Sequence, residues 1–219
     1  MSSAALQIDV VSDVVCPWCF VGKRQLEQAL EHYRHRHPDV AIEVRWHPFQ
    51  LNPGLPAEGM DRSDYMRRKF GSADTARVYT NVKRAAEAVG LALAIEAIPR
   101  QPSTLRPHAL LEAAAEAGVQ DALAETLFVA YFQQGRDLSD AEVLRDLALA
   151  AGLDAPRIER ALADPQAHEQ IAQADVRARE AGITGVPCFI VNRRSAVSGA
   201  QGAPAILEAM ELESETGAA

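Results

Sequence analysis

The apolar period of the chain changes twice between Leu6 and His47, and that double change constrains the fold more than any other feature. Leu6, Ile8 and Val10 alternate with Gln7 and Asp9 up to a turn-forming Ser12-Asp13, a pattern that predicts a short buried strand. From about Pro17 to Arg36 the residues Leu26, Ala29, Leu30 and Tyr33 recur at helical spacing. Pro17 suits a first helical turn, where its missing N–H would have no partner anyway, and the helix is expected to stop before Pro38. Val40, Ile42, Val44 and Trp46 then alternate with Ala41, Glu43 and Arg45, which predicts a second strand. The chain therefore opens as a βαβ unit with two cysteines, Cys16 and Cys19, at its first strand-to-helix junction.

A loop spaced by Pro and Gly, residues 48–59, leads into a region expected to be helical from about 60 to 182. Leu123, Leu127, Ala130 and Tyr131 form one apolar stripe there, and Val143, Leu144, Leu147 and Ala151 another. Ser139 followed by Glu142 has the form of a capping box, and Gly152 marks a helix end. Cys188 to Asn192 and Ala196 to Ser198 read as two strands joined by a tight Arg193-Arg194 turn. A last helix carries Ile206, Leu207 and Met210, and the polar residues 213–219 are expected to fray. The layout is βα, β, many helices, ββα. It implies an α/β fold in which strands from both ends meet in one sheet: a discontinuous domain of residues 1–59 and 183–219, with residues 60–182 inserted as helices.

Composition narrows the function. With 48% hydrophobic and 24% charged residues, the 219-residue chain has ordinary globular values. Its net charge of −8 disfavours the broad basic footprint of a nucleic-acid-binding surface. Charges interrupt every apolar stretch before the length needed to span a bilayer, so no membrane helix is expected. The N-terminal residues lack the basic region and long apolar stretch of a secretory signal, which points to the cytoplasm.

The chemistry lies in Cys16-Pro17-Trp18-Cys19. A thiolate, not a thiol, attacks a disulfide, and a cysteine at a helix N-terminus faces unpaired N–H groups and the positive end of the helix dipole. Cys16 is expected at that position. Two intervening residues set Cys19 one helical turn on, within reach of a mixed disulfide formed at Cys16. Pro17 pre-sets the first helical φ, and Trp18 offers a flat apolar surface beside the reactive sulfur. The competing reading is half of a zinc or iron–sulfur site, yet the sequence holds no second cysteine pair at metal spacing. Cys188 reads first as a small buried hydrophobe, and as a third thiol that could pair with the other two. His32, His35 and His37 read as a solvated face near the end of the first helix, and Asp13 as a turn residue. Phe49 and Leu51 suit either the core or a substrate groove, while Ser198-Gly199 offers N–H groups to a carboxylate. Far downstream, Pro187 stands just before a predicted strand; a trans bond is the commoner state, whereas a cis bond would leave Val186 free to pair with an extended ligand.

Three segments together carry a resemblance: Ser12-Asp-Val-Val-Cys-Pro-Trp-Cys-Phe-Val-Gly-Lys23, Trp46-His-Pro-Phe-Gln-Leu-Asn-Pro53 and Gly182-Ile-Thr-Gly-Val-Pro187. With Ala130-Tyr-Phe-Gln-Gln-Gly135 and Val197-Ser-Gly-Ala-Gln201, they resemble the DsbA-like thioredoxin-fold family, specifically its cytoplasmic FrnE-like branch, over about Leu6 to Met210. The resemblance implies a thioredoxin fold with a helical insertion, a cis proline at Pro187, and dithiol–disulfide exchange at Cys16 and Cys19. Pro17, Trp18 and Val186 are the expected substrate-binding residues. The partners would be protein or small-molecule thiols and disulfides, with no metal, no tightly bound cofactor, and glutathione as a candidate co-substrate. Where the family pattern has Asn-Thr and Ala-His-Arg, this chain has Ser103-Thr104 and Pro107-His108-Ala109, a departure that speaks against a ligand role for the segment and leaves His108 as its one weak candidate. The alternative enzyme is a glutathione-dependent isomerase or transferase similar to 2-hydroxychromene-2-carboxylate isomerase and the kappa class, whose first motif position is usually Ser. A non-enzymatic alternative is a redox-regulated binding or holdase module.

Overall fold

The computed structural model describes residues 5–71 and 75–217. Strand β1 (Leu6–Ser12), helix α1 (Pro17–Arg36) and strand β2 (Ile42–Pro48) form the opening unit, and the two strands pair in parallel from Leu6 opposite Ile42 to Ser12 opposite Pro48. A parallel pair needs a crossover, and α1 supplies it. Val40 lies before β2 rather than in it. The sheet is completed from the other end of the chain. Ahead of that come β3 (Met60–Asp61), α2 (Arg62–Phe70), α3 (Thr75–Ala88), β4 (Arg100–Gln101), α4 (Leu105–Glu116), α5 (Gln120–Phe132), α6 (Ala141–Ala150), α7 (Ala155–Ala163) and α8 (Pro165–Glu180). Then β5 (Cys188–Val191) runs antiparallel to β1, β6 (Ser195–Ser198) antiparallel to β5, and α9 (Ala203–Gly217) packs beside α1. The strand order is β2-β1-β5-β6.

Among its described residues the intervening region is mainly helical and also holds a two-stranded ladder: β3 and β4 pair antiparallel, Met60 with Gln101 and Asp61 with Arg100. Pro99 and Pro102 bracket β4 and oppose a helix there. Gly59 has a φ of 70°, and a Cβ on it would lie 2.5 Å from the Gln101 carbonyl oxygen, so only glycine fits this approach.

Two packing features join helices to sheet. Phe20 of α1 stacks on Phe128 of α5 with centroids 5.3 Å apart, and Trp46 of β2 meets Phe128 edge-on at 6.1 Å. The outer edge of β2 is covered by a side chain acting as a strand: Gln120 Oε1 accepts from Trp46 N–H and Gln120 Nε2 donates to Trp46 O, each at 2.9 Å. Buried Lys23 stands among Glu27, Asp121 and Glu125; burial pulls its pKa down, but the three carboxylates prevail and hold it above the ordinary value.

Three local expectations are corrected. The N-cap of α6 is Asp140, whose carboxylate accepts from Glu142 N–H at 2.8 Å, while Ser139 is bonded to Asp137 instead of forming a capping box. A carboxylate is the stronger acceptor at the positive helix end. The β5–β6 turn centres on Asn192 and Arg193, with φ of 50° and 59°, and closes through Arg194 N–H to Val191 O. Two successive positive φ angles define the type of turn in which Asn is favoured, so the turn sits one residue earlier than Arg193-Arg194. The polar C-terminal residues continue α9 to Gly217, with Glu213 bonded to Ser195 and Ser214 to Tyr33; Ala218 and Ala219 lie outside the described residues.

Candidate active site

β1 ends at Ser12, and the next four residues turn the chain into α1. Cys16 is the N-cap of that helix, with φ −94° and ψ 112°, no side chain caps the first turn, and Pro17 occupies its first position. Cys16 therefore stands at the positive end of the α1 dipole. The turn is closed by Cys16 N–H to Asp13 O at 3.0 Å, and Cys19 N–H reaches Cys16 O at 3.0 Å. Both thiols are buried, with 4% and 1% of the residue exposed, and both are free. The two side chains are in hydrogen-bond contact, and Cys19 also meets the Ser12 hydroxyl and the Asp13 N–H. Burial pushes the Cys19 pKa well up, the neighbouring Cys16 sulfur adds to this, and the Ser12 and Asp13 donors oppose it.

Opposite the turn, the Val186–Pro187 peptide bond is cis, and the Val186 carbonyl oxygen lies 3.6 Å from Cys16 Sγ. Pro187 is buried against α1, and Gly22 makes room for it. A Cβ at Gly22 would lie 2.9 Å from Pro187 Cγ and 3.0 Å from Phe189 Cζ. Trp18, between the two cysteines in sequence, is 38% exposed, and Pro17 and Val186 are half-buried. The structure thus brings together Cys16, Cys19, Pro17, Trp18, Val186 and Pro187.

It separates Cys188 from them. Phe189 packs into the main core on the α1 side of the sheet, whereas Cys188 sits in a small cluster on the other face with Val11 and Phe49. Alternation along a strand sends neighbours to opposite faces, so Cys188 does not complete a site with Cys16 and Cys19. Burial alone raises its pKa. Among the described residues no group of three or more His, Cys, Asp or Glu side chains is placed to hold a metal. His37 bonds to Glu211 at 2.7 Å, while His32 and His35 are exposed. The Gly199 N–H, suggested as a carboxylate donor, is taken by Pro187 O at 2.7 Å.

Sequence reasoning treated Asp13 and His108 as secondary, yet both are buried beneath the cysteine turn. Asp13 accepts from Leu51 N–H at 2.7 Å through Oδ2 and from Val15 N–H at 3.4 Å through Oδ1. His108 Nε2 lies 3.2 Å from Phe49 O and 3.5 Å from Asp13 Oδ1. Both neighbours are acceptors, so this nitrogen carries the proton. Gly22 was missed altogether, since a glycine inside a helical run shows a close approach only once its partner is placed.

Residues 7–211 match the family model described as the DSBA-like thioredoxin domain. A solved structure from Streptomyces coelicolor, described as a probable DsbA oxidoreductase, is 34% identical, covering 94% of this chain and 89% of its own, with a TM-score of 0.80. YwbO of Bacillus subtilis, an uncharacterised protein, is 29% identical over 187 residues, 85% of this chain and 86% of that one. The cytosolic disulfide reductase DsbM of Pseudomonas aeruginosa, solved with glutathione, shares the fold at 18% identity and a TM-score of 0.66, covering 96% of this chain and 98% of its own.

Proposed function

The chain belongs to the DSBA-like thioredoxin domain family of oxidoreductases, and from that premise we propose that it is a thiol–disulfide oxidoreductase exchanging a Cys16–Cys19 disulfide with protein or small-molecule thiols. The observation that carries this reading is Cys16 at the N-cap of α1, in contact with the Cys19 thiol one turn further on. In the reducing direction the Cys16 thiolate attacks one sulfur of a substrate disulfide. The substrate S–S bond breaks, and the departing thiolate takes up a proton. Cys19 then loses its proton and attacks the Cys16 sulfur of the mixed disulfide, expelling the second substrate thiolate. Two electrons have passed to the substrate, and Cys16–Cys19 is oxidised; the reverse sequence oxidises a dithiol. The positive end of the α1 dipole, at which Cys16 is the N-cap, stabilises the Cys16 thiolate as attacking and leaving group. Pro187 borders the sulfur, the Val186 peptide offers an edge to an extended substrate, and Pro17 with Trp18 supplies the apolar flank.

Glutathione as a co-substrate belongs to the same reading, supported by the glutathione-bound disulfide reductase among the structural neighbours. So does a cytoplasmic setting, since that neighbour is cytosolic. The exchange domain is assigned to residues 1–59 and 183–219, with 60–182 as the insertion. A cysteine at position 16, where the related isomerases and transferases usually have serine, favours exchange over those reactions.

Replacing the resolving thiol tests the roles. In oxidised glutathione, Cys19→Ser is expected to accumulate a mixed disulfide at Cys16, read by intact mass and peptide mapping, and Cys16→Ser is expected to accumulate none at Cys19. An adduct confined to Cys19 would reverse the assignment.

A further inference from the structure

The segment from Phe49 to Leu51 has no strand partner, and Phe49 and Gln50 are each 2% exposed. A buried irregular backbone needs a partner for every polar group, and this one has them. Phe49 N–H donates to Ser12 O at 2.9 Å, and Phe49 O faces His108 Nε2 at 3.2 Å. Gln50 N–H donates to Asp175 Oδ1 at 2.9 Å, Gln50 O accepts from Arg179 Nη2 at 2.5 Å, and Leu51 N–H donates to Asp13 Oδ2 at 2.7 Å.

These partners divide into two sides. Ser12 and Asp13 belong to the turn that presents Cys16. Asp175 and Arg179 sit one turn apart on α8, pair with each other at 3.1 Å, and grip both polar groups around Gln50. The Arg179 guanidinium also lies 4.1 Å from the centroid of the Phe49 ring. Helix α8 ends at Glu180, and the chain then runs through Ile183 directly into Val186, whose carbonyl faces the Cys16 sulfur. Ala178, Ile183, Val186, Leu51 and Phe49 share the small apolar cluster behind the sheet.

From this connectivity we infer that Asp175 and Arg179 are positioning residues for the exchange site. They tie the helix that delivers Val186 to the turn that delivers Cys16, through the backbone of Phe49, Gln50 and Leu51. Asp175 is 3% exposed while the Arg179 side chain is 41% exposed, and a half-exposed ion pair of this kind is weak as a source of stability but fixes geometry through directional bonds. Without the grip, the Val186 peptide and the Cys16 turn are free to shift relative to each other. A substrate whose backbone pairs with Val186 while its disulfide meets Cys16 then loses alignment, whereas a small reagent that needs no such pairing does not.

The inference rests on the oxidoreductase reading, and the test separates the two. Stopped-flow rates of Cys16 attack on a peptide disulfide are compared with rates of Cys16 alkylation by iodoacetamide in the full-length protein. In Asp175→Ala and Arg179→Gln the peptide reaction is expected to slow by about 10- to 100-fold while alkylation stays within about twofold, the range seen when a small displacement arises away from the chemistry. Asp175→Asn keeps an acceptor for Gln50 N–H and is expected to recover most of the rate. Should Asp175→Ala not fold, Arg179→Gln decides, because its side chain is 41% exposed and the change leaves the Asp175–Gln50 bond in place. Peptide rates equal to the parent, or equal slowing of both reactions, would overturn the positioning role. A parent protein that attacks no disulfide at all would instead overturn the oxidoreductase reading.

Discussion

The two faces of the sheet each bury thiol, and burial is where their likeness stops. Cys16 and Cys19 on the α1 side are 4% and 1% exposed, and Cys188 behind the sheet is 6% exposed. Around Cys188 the neighbours are Val11, Phe49 and other apolar groups, and burial alone raises its pKa. Around Cys19 burial is opposed by a hydroxyl and a backbone N–H, and Cys16 caps a helix whose first turn no side chain satisfies. The two environments differ in the supply of donors at a strand-to-helix turn, not in accessibility.

The sharpest break between the faces is expected from removing one thiol on each. Cys16→Ser should reduce insulin reduction to the level of the recycling reductant alone. Cys188→Ala should leave it within about twofold and destabilise the protein by about 0.5–1.5 kcal/mol, as for loss of one buried heavy atom. Turnover lost in Cys188→Ala with the fold intact would erase the distinction between the two environments.

A smaller effect is expected where the front face is packed most tightly. Ala at position 22 gains up to about 1 kcal/mol of helix propensity. Its Cβ, however, would approach Pro187 Cγ to 2.9 Å and Phe189 Cζ to 3.0 Å. Overpacking of this kind costs about 1–3 kcal/mol, so a net loss of up to about 2 kcal/mol is expected for Gly22→Ala. That corresponds to a Tm lower by a few degrees, at about 2–4 °C per kcal/mol for a chain of this size. Exchange should slow as well, because the proline that moves is joined to Val186, whose carbonyl oxygen lies 3.6 Å from Cys16 Sγ. A Gly22→Ala protein with unchanged Tm and exchange rate would show that Pro187 yields without consequence.

The same contrast explains what was legible in the sequence. Elements whose pattern is local were readable: the alternation in β1 and β2, Pro17 at the head of α1, and Cys16 and Cys19 across the junction. β3 and β4 escaped because strands of two residues have no measurable period and are defined by each other. Asp140 was overlooked beside Ser139 because both are capping residues, and only the direction of the carboxylate decides between them. The site was legible as its thiols and its distant proline, but not as the frame that holds them. Asp13 meets Leu51 across 38 positions, and Asp175 meets Gln50 across 125. Such pairs leave no trace in spacing, since the fold alone brings them together.

The finest test of the comparison uses pH, because both faces hold a thiol whose pKa burial raises. An unfolded thiol ionises near pH 8.5, while a folded Cys19 or Cys188 keeps its proton to higher pH. Between the two pKa values the folded state binds more protons than the unfolded state. Stability contributed by the protonated thiols is therefore complete below about pH 8.5 and is lost as pH rises toward the folded values, by up to about 1.4 kcal/mol per pH unit for each group. Urea unfolding of the reduced protein from pH 8 to just under 10 is expected to show this loss. Only the part of this range up to about pH 9 is free of tyrosine, because unfolded tyrosines are half-ionised near pH 10 and burial also raises Tyr79 and Tyr131, so the slopes are compared from pH 8 to 9. Cys188→Ala should remove one share of the slope. Joining Cys16 to Cys19 in a disulfide should remove the share of Cys19, so oxidised Cys188→Ala should be the flattest of the four forms. A slope that survives in that form arises from neither thiol, and one that oxidation leaves unchanged means that Cys19 is not held protonated by its burial.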